Sequence, residues 1–199
     1  MKRWPILVVA SAMLAPFAPA HARTVDYSLD KPAIEAAALD QGIEGPFSDA
    51  PALGTLPLTL ENPTAADHSV KIVSVYCQAY KMDNPVAALM SQLLPPAPMS
   101  ASATPTLRLI RGSTLLRCLG NGEFKNICKN EVKLTAELRF QTADGATTMR
   151  PIVASVEREG RVGGFCGNMA RYTAIVSREA GIELIRKASA IYAQASAAQ

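Results

Sequence analysis

The sequence predicts an α+β protein: an antiparallel sheet of about 4-5 strands packed under a long C-terminal helix and stapled by disulfides. Three observations predict it. Residues 131–141, EVKLTAELRFQ, alternate apolar and polar positions without a break, the period-two pattern of a strand with one wet face. Residues 169–193 carry apolar side chains at helical spacing. Four cysteines sit in a chain whose N-terminus reads as an export signal. A β-sandwich with a C-terminal helix is the alternative architecture, because LPLTLENPTAADHSVKIVSVYCQAY reads strand, Asn-Pro turn, strand.

The chain opens MKRWPILVVASAMLAPFAPAHA. Lys2 and Arg3 form a positive start, Ile6 to Ala15 an apolar run, and Ala20-His21-Ala22 a small-x-small cleavage site. The run is broken by Pro16 and Pro19 and is well short of the ~20 residues a spanning helix needs. Residues 1–22 are therefore expected to be a cleaved signal peptide, leaving no transmembrane anchor. Its compact basic region is of bacterial type, so the expected address is the periplasm. Arg23 then becomes the first mature residue; it is not a cysteine, so lipid attachment at a new N-terminal cysteine is not expected.

Removing residues 1–22 from the 199 leaves 177, a length that suits one domain. The only tryptophan, Trp4, goes with the signal, and His68 becomes the sole histidine. The 18 remaining lysines and arginines nearly balance 17 acids, so no global charge argues for nucleic acid as a partner. The balance is uneven along the chain. Residues 23–53 form an acidic N-terminal segment of net −4, and residues 54–199, the expected single α+β domain, carry +5. These are either two ordinary solvated surfaces or a matched pair. In the second case the acidic segment folds over a basic face, or that face meets an acidic partner such as anionic lipid headgroups.

The elements follow in order. Asp30-Lys31-Pro32 opens a short helix over 33–41, and Gly42 stops it. Residues 43–54 have turn chemistry. Leu56, Leu58 and Leu60 alternate as a short strand ending at Asn62-Pro63. Residues 69–80 form a β-branched and aromatic run whose positions Val73, Val75, Cys77 and Ala79 share a face. A helix is expected over Pro85 to Leu94, then a surface loop to Thr106. Residues 107–118 make the strand before 131–141. Asp144-Gly145 turns the chain so that Ile152, Ala154 and Val156 return on the inward side. The glycines of 160–167 predict a bend, after which Asn168 caps the long helix. Tyr172, Ile175, Val176, Ile182, Ile185 and Ile191 form its buried stripe, with Arg171, Arg178, Glu179, Glu183, Arg186 and Lys187 outside. Gly181 weakens it by roughly 1 kcal/mol relative to alanine.

The cysteines allow three pairings. If 107–118 and 128–141 are antiparallel neighbours, Cys118 and Cys128 lie opposite one another, which leaves Cys77 for Cys166. A competing pattern joins Cys128 to Cys166. Zinc and thioredoxin-like chemistry both want C-x-x-C pairs, which 77, 118, 128 and 166 do not supply, so no metal is expected. GGFCGNMARY resembles the cysteine-protease signature around Cys166. It departs from that pattern at Asn168 and Met169, and no histidine follows it. Glu157 and Glu159 would share one face of a strand, an arrangement more common for solvated acids than for a catalytic pair. No P-loop or dinucleotide glycine pattern is present, so no cofactor is implied.

Two functional classes remain. The first is a non-enzymatic soluble periplasmic protein that binds a partner in the cell envelope: a secretion, pilus, outer-membrane or lipid-handling assembly. Its expected basic binding face comprises Arg108, Arg111, Arg117, Lys125, Lys129 and Lys133. The alternative is a small periplasmic hydrolase or thiol enzyme using Cys166 or Glu157 and Glu159.

Overall fold

The computed structural model describes residues 31–51, 57–61, 67–73, 85–98, 104–120, 125–163 and 166–197. Residues 1–22, the expected signal peptide, together with Asp30, Leu56, Cys77 and the side chain of Cys166, lie outside the described residues. The elements are α1 (Lys31–Asp40), β1 (Thr59–Glu61), β2 (Asp67–Val73), α2 (Pro85–Leu93), β3 (Thr106–Gly120), β4 (Lys125–Gln141), β5 (Thr147–Gly163) and α3 (Cys166–Ala197).

The fold is the expected α+β arrangement of a five-stranded sheet under the C-terminal helix, not a sandwich. Strands β3, β4 and β5 form an antiparallel meander with β4 in the centre. The other edge departs from expectation. Strands β1 and β2 lie one after the other along β3 and both run parallel to it. A parallel partner requires a long crossover, and the chain between β2 and β3, which includes α2, provides one.

The meander strands reach 17 residues in β4 and β5, about 55 Å at 3.3 Å per residue. The 32-residue α3, at 1.5 Å per residue, spans about 48 Å, so one helix covers nearly the whole sheet. Its layer lies over β4 and β5: Tyr172 Oη donates to Cys128 O at 3.1 Å and contacts Arg158 O, and Lys187 Nζ donates to Val153 O at 3.0 Å. Helix α2 packs beside α3 at Gly181, where an added Cβ would come within 3.2 Å of Leu93 and 3.3 Å of Met90. The glycine that costs helix propensity is thus the point where two helices close on one another.

Alternation decides which face is buried. Val132, Leu134, Ala136, Leu138 and Phe140 of β4 point at the helices with Ile152 and Ala154 of β5, as the pattern predicts, and Phe140 meets Tyr192 edge-on at 5.8 Å. The turn between them is held by Gly145 at φ 80° and by Thr142, whose Oγ1 reaches both Asp144 and Ala146 O. The predicted bend over 160–167 is instead strand as far as Gly163, because β4 is long enough to pair with residues 160–163. Helix α3 starts at Cys166, two residues before the expected cap.

Helix α1 ends where Gly42 was expected to stop it. Gly42 takes φ 59°, its N–H donates to Leu39 O, and the Ile43 N–H reaches back to Ala38 O. That is a Schellman ending, in which a left-handed residue closes the last turn. Ile34, Ala38 and Ile43 join the core.

Candidate functional site: the open face of the sheet

The helices cover one face of the sheet, and the described residues leave the other open. A β-bulge sets what that face displays. Register in β3 shifts between Leu109 and Arg111, so Ile110 and Arg111 both point outward. Simple alternation would place Arg108 and Arg111, three residues apart, on opposite faces; the bulge restores them to the same one. Inward parity then resumes at Gly112, Thr114, Leu116 and Cys118.

Four rows cross the open face. Registered positions read Val73–Arg117–Lys129–Glu159, Lys71–Leu115–Glu131–Glu157, Ser69–Ser113–Lys133–Ser155 and Asp67–Arg111–Thr135–Val153. Arg108 follows beyond the bulge, opposite Glu137. The register thus puts Arg108, Arg111, Arg117, Lys125, Lys129 and Lys133 on one face, although the side chain of Lys125 is outside the described residues. The basic positions gather on β2, β3 and β4; acids stand on β4 and β5, with Asp67 on β2 and Glu61 on β1 at the other edge.

Several of these charges are engaged. Lys129 Nζ lies 2.8 Å from Glu157, which raises its ammonium pKa above the usual lysine value; Arg117, directly opposite, acts in the reverse sense. Arg108 lies 3.8 Å from Glu61, and Arg139 bridges Glu61 and Glu137 at 4.0 and 3.6 Å. Glu157 and Glu159 do share a face, but both are exposed and Glu157 serves an ion pair.

Apolar side chains interleave with the charges. Of the seven large hydrophobic residues exposed among the described residues, six (Val73, Ile110, Leu119, Ile127, Met149 and Val153) stand on this face. The exception is Leu39 of α1. Leu119 and Ile127 are directly opposed at the tip of the β3–β4 hairpin, and Leu119 is 76% exposed.

One position inward from that apolar pair is the disulfide. Cys118 and Cys128 are registered partners with Cα atoms 4.1 Å apart, and they are bonded. The pair is therefore a clasp on the β3–β4 hairpin, and the competing Cys128–Cys166 bond is overturned because Cys128 is already taken. The pairing of Cys77 with Cys166 falls outside the described residues. His68 lies in β2 in register with Gly112, and its side chain is likewise outside them. Among the described residues no group of three or more His, Cys, Asp or Glu side chains is placed to hold a metal. None of the described helices is long and apolar enough to cross a membrane.

The site that sequence reasoning missed lies on α3. Arg178 and Glu179 were expected on its outer surface; they are 0% and 3% exposed. The segment after α1 lies over them. Arg178 Nη1 donates to Ser48 O at 2.9 Å and to Glu179 Oε1 at 2.5 Å, while the Ser48 N–H donates to Glu179 Oε2 at 2.9 Å. Arg158 Nη2 takes Pro46 O at 3.2 Å, and Lys31 closes on Asp49 at 3.0 Å. Residues 31–51 thus sit in the helix layer beside α3 and the end of β5. They do not cover the basic rows. The only early signal was a basic and an acidic residue at adjacent helical positions, which no periodicity separates from surface.

Fold and surface together define a class: a helix-backed sheet with one long, mixed basic and apolar face that the described residues leave uncovered. No family model matches the chain, and no curated protein matches it. Among solved structures it is similar to rare lipoprotein B from Shewanella oneidensis, at 13% identity and a TM-score of 0.43, over 63% of this chain and 97% of that one. It is also similar to a minor lipoprotein from Acinetobacter baumannii, at 11% identity and a TM-score of 0.37, over 65% of this chain and 96% of that one.

Proposed function

We propose that the protein is an exported, non-enzymatic binding module of the bacterial envelope, and that the open face of its sheet docks on an anionic partner. The observation that carries this reading is the concentration of exposed apolar side chains among the basic rows of one face. Scattered apolar residues on a surface need no explanation, whereas their confinement to one face does. A surface of that kind suits a partner presenting negative charge beside apolar groups, and an anionic lipid surface has both. Of the carboxylates the enzymatic alternative would use, Glu157 is engaged in an ion pair with Lys129.

The test is binding of the mature protein to vesicles of phosphatidylcholine alone or with added phosphatidylglycerol. Each basic residue near an anionic surface contributes roughly 1 kcal/mol. The triple variant Arg111→Gln, Arg117→Gln, Lys133→Gln should therefore bind about a hundredfold more weakly, and added salt should weaken the wild type. If neither vesicle binds, cross-linking in cells through the same face tests an acidic protein partner instead. Indifference of both readouts to the triple substitution would sink the proposal.

A further inference from the structure

The strap over α3 is held in an unusual way. Its grip is on the main chain: Arg158 takes Pro46 O, Arg178 takes Ser48 O, and Glu179 takes the Ser48 N–H. An acceptor and a donor presented side by side to the main chain of one residue hold any residue type there except proline, which has no N–H. Removing two charges from water costs more than packing two leucines of similar volume, and a buried ion pair is weak evidence of a role in stability alone.

Side-chain selection occurs on either side of this clamp. Ile43 fills a notch over Gly160, where an added Cβ would lie 2.7 Å from Ile43 Cγ1. Phe47, four residues on, packs against the core. Past the clamp the groove continues as a cavity of about 270 Å³ between Ala50 and Pro51 on the strap and Ile182, Ile185 and Ser189 on α3. The Ser189 Oγ is buried there with no hydrogen-bond partner. The groove therefore has an apolar notch, a main-chain clamp and a partly filled apolar end, and its own strap leaves room in it.

We propose that the groove between α3 and the end of β5 is a peptide-binding site, occupied in cis by residues 41–51 and open in trans to an extended peptide of the same pattern. That pattern is an aliphatic residue for the Gly160 notch, an aromatic residue four positions later, and a free backbone N–H at the position after the aromatic. Recognition by backbone hydrogen bonds with pockets for spaced side chains is a recurring way of holding extended peptides. The cis strap lowers apparent affinity, because only molecules with the strap released are competent.

The experiment uses the full mature chain and a fluorescent peptide spanning residues 41–51, read by anisotropy. Ser48→Pro in the protein removes the N–H that the strap gives Glu179, while the native peptide still supplies one. The Ser48→Pro protein should bind the native peptide at least tenfold more tightly than wild type does. The same peptide carrying Ser48→Pro should bind at least tenfold more weakly. Gly160→Ala gives an independent reading, since its new Cβ excludes isoleucine from the notch: that protein should prefer an Ile43→Ala peptide to the native one. The second variant decides the question if the first does not fold by circular dichroism. A folded Ser48→Pro protein that binds no peptide, or binds both peptides equally, would show the strap to be a structural tie only. Equal affinity of Gly160→Ala for its two peptides would say the same. Vesicle binding through Arg111, Arg117 and Lys133 should be unchanged in both variants, so the two proposals fail separately.

Discussion

Asn130 stands in the middle of β4 between Leu116 and Arg158, wholly buried, and neither its Nδ2 nor its Oδ1 has a hydrogen-bond partner. A buried polar group left unpaired costs roughly 1–3 kcal/mol. Asn130→Val, which suits a strand, should therefore raise stability by about 1 kcal/mol or more, seen as a higher urea midpoint. A lower midpoint would mean that the amide holds internal water. The pair on α3 has the opposite character. Arg178→Leu alone strands the Glu179 carboxylate and should cost about 3–5 kcal/mol, whereas Arg178→Leu with Glu179→Leu should cost far less. Equal losses in the single and double variants would show the charges to be uncoupled. Asp144 responds to pH instead: hydrogen bonds from Thr142 and from the Ala146 N–H hold its carboxyl below the usual 3.8. Its contribution to the turn is present above 3.8 and disappears as pH falls through the lower, folded value. Titration of Asp144 by NMR should give a value under 3.8, and one at or above it would remove this contribution.

The elements most legible in the sequence were those where one periodicity ran unopposed. β4 alternates over its second half, Asp144-Gly145 has a single structural reading, and the Cys118–Cys128 opposition follows from hairpin register alone. Less legible was whatever depended on a partner out of sequence. The parallel direction of β1 and β2 is set by the path of α2, and the strand character of 160–163 is set by pairing with β4; neither is encoded locally. Edge β5 shows a similar dependence. Lys187 takes Val153 O, so that carbonyl points away from β4, and Pro151 has the same parity, which turns its missing N–H to the free edge. A lysine and a proline are common means of blunting an edge strand. Removing both, with Pro151→Val and Lys187→Ala, should produce concentration-dependent association in analytical ultracentrifugation, and a double variant that stays monomeric would show that the edge is protected otherwise. At the hairpin tip, Cys118→Ala with Cys128→Ala should cost about 2–3 kcal/mol, the worth of closing a short loop.

At the scale of the molecule, the two ends of the helix–sheet interface differ in chemistry. Toward the disulfide the inner face includes buried Thr114, Asn126 and Asn130, the first half of α3 buries Tyr172, Thr173 and Ser177, and the Ser177 Oγ has no partner. Toward the Asp144 turn the buried sheet residues are Leu134, Ala136, Leu138, Phe140 and Ile152, and α3 buries Ile182, Ile185 and Ala188 in the same core. The sequence showed a helix of sufficient length and its apolar stripe. It did not show this gradient, because the polar members of the first set fall on the inward parity of a strand that otherwise alternates, and pattern alone assigns such positions to the core without pricing them. Both ends bury apolar side chains, but the disulfide end also buries polar atoms that have no partner, on Asn130 and Ser177, and a stretch weakened in that way opens at lower free energy than the rest of a fold. Amide hydrogens of residues 169–177 should accordingly exchange faster than those of 182–192, although both stretches belong to one continuous helix. Reducing Cys118–Cys128 should widen the difference, since the clasp holds the strands beneath the first stretch. Uniform protection along α3, unchanged by reduction, would mean that the helix leaves the sheet as one cooperative unit and that the polar end carries no separate weakness.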